Sequence, residues 1–226
     1  MRNVLIIGDY VADSFHPFKG MDSELAAILG PDYSCTFESD YGRLDYSDLS
    51  GYDLLLSYAE GPWCENCNTG FVAALLTYVV NGGIFMPIHF GGCFGKDMRK
   101  GPMERDAKWH ELISLTGGRF NMFHPVYSAI DIVPDSPGHP ACSGIAPFVV
   151  EEEPYMFEMG SFGDIKHLFS AHYGNLHLPV FWYADFGSGI AATLTLGHSV
   201  SVMKVPEVRQ MIRQFADWAC AGHQLG

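Results

Sequence analysis

The 226-residue sequence predicts an α/β domain of three layers, α/β/α, built on a doubly wound and mostly parallel sheet. Three observations lead there. Short apolar, β-branched runs at 3–8, 52–58 and 84–88 have the pattern of strands buried on both faces. A stretch of helical period separates the second run from the third, which makes a strand, helix, strand unit with a short turn. Apolar residues are 48% of the chain and charged residues 17%, enough for a large core and too apolar for disorder. No repeat, low-complexity tract or linker divides the sequence, so residues 1–226 are expected to form a single domain.

The elements follow in order. NVLIIG (3–8) reads as the first strand and ends at Gly8-Asp9. Asp22 and Ser23 can cap a short helix carrying Leu25, Ala26, Ile28 and Leu29, which Gly30-Pro31 stops. YSCTFE (33–38) is the second strand and YDLLLSY (52–58) the third. Phe71, Val72, Leu75, Leu76, Val79 and Val80 recur at helical spacing, and Asn81-Gly82-Gly83 ends that helix before the strand IFMPI, 84–88. A Gly-rich loop (91–101) leads to a helix expected over 104–116, ended by Gly117-Gly118. Segments near 126–133, 147–150, 155–158, 166–172, 178–183 and 190–196 read as extended, some of them antiparallel additions to the sheet. Pro206 opens the last helix, with Val208, Met211, Ile212, Phe215 and Ala219 on its buried stripe.

Charge and composition exclude several classes. The formal charge of −13 repels phosphate backbones and anionic lipid, so neither nucleic acid nor membrane is an expected partner. No run approaches the ~20 apolar residues of a membrane span, and MRNVLIIGDY lacks the form of a signal peptide. Six dispersed cysteines (35, 64, 67, 93, 142, 220) suit a reducing compartment, and a cytoplasmic location is expected.

In open α/β sheets ligands bind outside the carboxyl ends of the strands. His16 lies in the loop after the first strand, His89 directly ends IFMPI, and His198 directly ends IAATLTLG. One strand-end histidine is usually structural, but three at one edge point to a site. With them come the GYDLLL entry (51–56), the Asn81-Gly82-Gly83 stop, the LTGGRF turn (115–120), His139-Pro140, Glu152-Glu153-Pro154-Tyr155, and LPVFW with GSGIAATLTLGH between 178 and 198. In this order and spacing, nearly the whole chain resembles the trehalose-utilisation (ThuA-like) family of the class I glutamine amidotransferase-like superfamily.

The resemblance implies a flavodoxin-like sheet and an enzyme of carbohydrate catabolism acting on a sugar or keto-sugar, a hydrolase, lyase or isomerase, with a small carbohydrate as partner. A homo-oligomer is compatible with it. In amidotransferases a nucleophilic cysteine occupies the sharp turn after a central strand. In this chain His89 stands at that turn, and imidazole cannot replace a thiolate in thioester chemistry. Gly91-Gly92-Cys93-Phe94-Gly95 does contain a G-x-C-x-G, four residues beyond the strand end. The residue two positions after His198, where a triad acid would stand, is Val200.

The expected catalytic residues are His89, His198 and Glu153; His16, Tyr155, Phe90 and Trp182 are expected to contact substrate. His16, His89 and His198 could instead hold a divalent metal such as zinc, the residue types that such ions take. Two further readings stay open: a non-catalytic sugar-binding module of the same fold, and a hydrolase or amidotransferase-like enzyme using Cys93. Cys64-Glu65-Asn66-Cys67 precedes a helix, where redox or metal chemistry is conceivable, although no second pair completes a zinc ribbon. His124 and His172 could also reach the pocket. Phe15, Phe18, Trp63, Phe94 and Tyr173 lie in expected strand-end loops, where rings can stack on a sugar.

Overall fold

In the computed structural model, residues 1–11, 14–59, 67–94, 109–121, 124–160 and 164–222 are described. Trp63, Cys64 with its CxxC partners Glu65 and Asn66, Gly95, and the first half of the helix expected over 104–116 lie outside them.

The main sheet has nine strands: β1 (Arg2–Gly8), β2 (Tyr33–Glu38), β3 (Leu54–Tyr58), β4 (Ile84–Pro87), β6 (Ser128–Pro134), β7 (Phe148–Glu152), β9 (Lys166–Tyr173), β10 (Leu176–Phe186) and β11 (Gly189–Leu194). A two-stranded sheet pairs β5 (Gly118–Phe120) with β8 (Phe157–Met159), antiparallel. In space the large sheet runs β2-β1-β3-β4-β11-β10-β9-β6-β7. The first five are mutually parallel, and the last four add antiparallel to β11 and to one another. Because the chain leaves β1 for β2 on one side and takes β3 on the other, the strand order reverses there. Such a switch point leaves a crevice at the carboxyl ends of the strands.

Among the described residues six helices cover the faces: α1 (Met21–Leu29), α2 (Tyr46–Leu49), α3 (Thr69–Val80), α4 (His110–Thr116), α5 (Val200–Met203) and α6 (Pro206–Cys220). Alternation along the strands sorts the core into two layers. Val4, Ile6, Leu54, Leu56 and Met86 pack with α1, α5 and α6, whereas Leu5, Ile7, Leu55 and Phe85 pack with α2, α3 and α4. Each such fully buried aliphatic side chain contributes roughly 1.5–3 kcal/mol of transfer free energy.

The boundaries agree with the sequence pattern to within a few residues, with local differences. The cap of α1 falls at Gly20, and the Asp22 carboxylate instead accepts the Gly20 and Ser23 amides. LTGGRF has the sequence of a turn alone, but Gly118–Phe120 pairs as β5 because β8 offers it an edge. The short helices α2 and α5 carry too few residues for periodicity to reveal; Asp45 closes a capping box on the first of them.

Candidate metal and active site

A tight turn at the carboxyl edge follows β4. Ile88 bridges to Leu194 of β11 and donates its amide to Ser57 of β3, and His89 then takes the left-handed conformation at φ 50°. For a residue with a Cβ that conformation is strained. A 3-10 turn, His89–Gly92, completes the elbow, and a Cβ at Gly91 would lie 2.4 Å from the Ser57 carbonyl oxygen, so only glycine lets the turn dock on β3. The residue at the elbow is thus a histidine, as its place in the sequence predicts.

Four expected residues meet there. His16 arrives on the loop after β1, His198 on the loop after β11, and Glu153 on the segment after β7. One ligand-capable atom from each of His16, His89, Glu153 and His198 lies within 4.8 Å of the others. The imidazoles of His16 and His89 have centroids 4.8 Å apart, those of His16 and His198 5.1 Å, and those of His89 and His198 5.4 Å. Glu153 Oε2 is 3.2 Å from His198 Nδ1 and 3.8 Å from His89 Nε2.

Tautomers decide what this cluster can do. His89 Nδ1 lies 2.8 Å from the Thr195 carbonyl oxygen, an obligate acceptor, so Nδ1 carries the proton and Nε2 a lone pair. Among the described residues that buried Nε2 has no hydrogen-bond partner, nor has His198 Nδ1, whose approach to Glu153 lacks hydrogen-bond alignment. Lone pairs facing a carboxylate repel unless a proton or a cation lies between them. Burial and the neighbouring histidines hold His89 well below the ordinary imidazole range, and burial, then His198 and His124, push His16 down to about 3. Both are neutral near pH 7, the state in which imidazole binds metal. The donor set therefore fits a divalent cation, and its residue types are those of zinc sites.

The surroundings fix the rings. Tyr155 is buried, stacks on His89 at 4.2 Å, and its hydroxyl lies 3.5 Å from His16 Nε2. Phe90 stacks on the other ring, 4.8 Å from His16. Tyr155 thus orders the histidines and presents almost no surface to a ligand, while Phe90 keeps some exposure. Trp182 is a correction. It is 0% exposed, its indole N–H donates to the Thr116 carbonyl, and the rings of Phe157, Phe120 and Tyr155 stand in sequence between it and His89. Strand β10 packs it into the core, away from the surface on which a ligand would rest.

Cys93 is also fully buried; burial raises its thiol well above the usual range, and its Sγ faces the His89 carbonyl at 3.8 Å. A thiol kept protonated and covered is a poor nucleophile. Of the remaining ring candidates, Phe18 and Phe94 are core, Phe15 is 87% exposed, and Tyr173 is half-buried against the core. His172 stands exposed beside His177 in the antiparallel half and does not join the site. His124 does, with Nδ1 4.0 Å from Glu153 Oε2.

Two contributors are not evident from the sequence. Tyr127 lies against His198 with rings 5.5 Å apart. Glu152, which stands in what looks like a solvated run of acids, is entirely buried. Its signal is the period of two in β7, which puts residue 152 on the same face as Val150.

With the elbow, the three imidazoles and the adjoining acid in place, comparison with known proteins adds the family. The family pattern described as "Trehalose utilisation" (ThuA) matches residues 24–219. The chain belongs to the ThuA family. Solved structures with the ThuA fold include a ThuA-like protein of Bacteroides uniformis, 16% identical with TM-score 0.75 over 95% of this chain and 89% of that one. A ThuA-like protein of Parabacteroides merdae is 16% identical, TM-score 0.74, over 100% and 92% of the two chains. A Salmonella typhimurium protein named as cytoplasmic is 13% identical, TM-score 0.68, over 97% and 99%. At these identities the likeness is one of fold. No curated protein matches the sequence. Among the described residues of this ThuA-family chain, no helix is long and apolar enough to cross a membrane.

Proposed function

We propose that this ThuA-family protein is a metal-dependent enzyme acting on a sugar or keto-sugar, with His16, His89 and His198 holding a divalent cation such as zinc and Glu153 beside it. The observation that carries the reading is the buried, unpartnered lone pair of His89 Nε2, 3.8 Å from a carboxylate oxygen. When bound, such an ion would polarise a substrate carbonyl or hydroxyl oxygen and lower the pKa of a coordinated water.

The chain's own groups supply the rest. The Thr195 carbonyl fixes the His89 tautomer by accepting a hydrogen bond from Nδ1–H, which leaves Nε2 available as a ligand. Glu153, part-exposed beside the ion, is placed to take and return a proton at the mouth of the site. His16 and His89 are too far below neutrality to act as acids, so ligation suits them better than proton transfer. Phe90, stacked on His16 and partly open, offers a ring for the sugar face. The substrate class comes from the family, and convergence of the four residues favours an enzyme over a binding module of the same fold.

The test has two arms. Protein purified without chelator should carry close to one zinc or similar ion per chain, and His89→Ala should lose it. A panel of sugars and their oxidised derivatives, followed by NMR, should show consumption of at least one compound that chelator abolishes. Metal-free protein indifferent to excess zinc would reject the metal; turnover that survives chelator would remove metal ligation from the chemistry of the three histidines.

A further inference from the structure

Glu152 ends β7 on its inward face, with Val150 and Glu152 buried and Val149 and Glu151 exposed. A buried carboxylate is costly unless its oxygens are satisfied. Glu152 is 0% exposed, and no Lys or Arg side chain is paired with it among the described residues. Three backbone amides satisfy it instead. Its Oε1 accepts the Glu153 N–H at 2.7 Å, and its Oε2 accepts the Gly197 N–H at 2.6 Å and the His198 N–H at 3.1 Å.

Two of those amides belong to the residues that supply the site's carboxylate and one of its imidazoles. The third belongs to Gly197, whose φ of 127° few other residues adopt. The same loop is held from other sides, since Tyr58 donates its hydroxyl to the Gly197 carbonyl at 2.8 Å and the Thr195 carbonyl engages His89. The bonds to Glu152 join this loop to the end of the edge strand.

We infer that Glu152 is a positioning residue: its buried carboxylate ties the end of β7 to the loop after β11 and thereby sets Glu153 against His198. Charge on the inward face of an edge strand can also serve only to deter strand addition. That role would not require both oxygens to be aimed at backbone amides of the site. The inference rests on the proposed metal site only for what the alignment serves.

Backbone amide hydrogen exchange by NMR on the metal-free, full-length protein separates the two questions. In the wild type the Gly197 and His198 amides should exchange slowly, and rapid exchange there would overturn the inference even if no variant folds. In Glu152→Gln an amide group replaces one accepting oxygen, and protection at these positions should fall at least tenfold while that of β1 and β3 stays unchanged. Zinc affinity measured by chelator competition should fall about 10–100-fold in the same variant. The visible ligand-field spectrum of the cobalt(II)-loaded protein should change, and Glu152→Asp, which keeps the charge, should recover part of the affinity. Unchanged exchange and an unchanged cobalt spectrum in Glu152→Gln would sink the inference. Failure of the wild type to bind either metal would instead count against the proposed function, and exchange would still decide the role of Glu152.

Discussion

In the parallel half of the sheet every residue of β3, β4 and β11 is buried, and β1 is buried from Val4 to Gly8, whereas β6 and β7 in the antiparallel half alternate between core and solvent. Both halves reach the site, by different rules. The parallel half delivers His16, His89 and His198 because each follows the carboxyl end of a strand, where the topology gathers loops. The antiparallel half delivers Glu153 from the end of the edge strand β7, a place that no rule of parallel sheets points to. Three of the site's side chains thus follow strands buried on both faces, while its acid follows a strand with one face in solvent.

Core truncation should show the largest contrast. Leu56→Ala, at a fully buried position of β3, should cost about 2–5 kcal/mol in denaturant unfolding. Val149→Ala, at a β7 side chain 61% exposed, should stay within about 0.5 kcal/mol. Similar losses at both positions would break the distinction between the halves.

Acid should come next. The unfolded chain protonates histidine near pH 6.5, roughly, while folded His16 holds out to about 3, so the unfolded state takes the proton first as pH falls. Stability that depends on neutral His16 is intact above about pH 6.5 and drains away between there and about pH 3. Between pH 7.5 and 5 metal-free wild type should lose about 2 kcal/mol more than His16→Gln. Glu152 acts with the opposite sign. Burial, opposed by its three amide donors, raises it to about 7, so its contribution is present at low pH and is lost as pH rises from the ordinary carboxylate range toward 7. Both proteins keep Glu152, so the comparison cancels it. Equal losses in the two proteins would contradict a neutral, buried His16.

The smallest effect belongs to Cys93. No ammonia should be released from glutamine by the wild type, and Cys93→Ala should leave metal content unchanged, since the thiol is covered and protonated. Ammonia release that vanishes in Cys93→Ala would restore the amidotransferase reading.

The parallel half is legible in the sequence because burial on both faces forces continuous apolar runs, and because Gly30, Asn81 and Gly82 punctuate them with helix stops. The three histidines are legible for the same reason: each directly follows such a run or its loop. Glu153 and Tyr155 can be named only through the family resemblance, since they lie beyond the end of β7 and Glu153 closes a run of three successive acids. Trp182 misleads because a long aromatic near a strand end reads alike whether it faces a loop or the core; the Thr116 carbonyl that holds its indole comes from a helix 66 positions away in sequence. Glu152 is hidden because a carboxylate on an inward face is meaningful only once its partners, the Gly197 and His198 amides, are seen across the sheet.

We propose above all that the carboxyl edge holds a metal through the nitrogens of His16, His89 and His198, with Glu153 beside it. X-ray absorption at the zinc edge, on protein loaded with one equivalent, tests it most directly. Ligation by the three histidines predicts a first shell of nitrogen and oxygen at about 2.0–2.1 Å with the outer-shell pattern of three imidazoles, and loss of that pattern in His89→Ala. A sulfur shell at about 2.3 Å, or zinc that remains bound when His89 is removed, would contradict it.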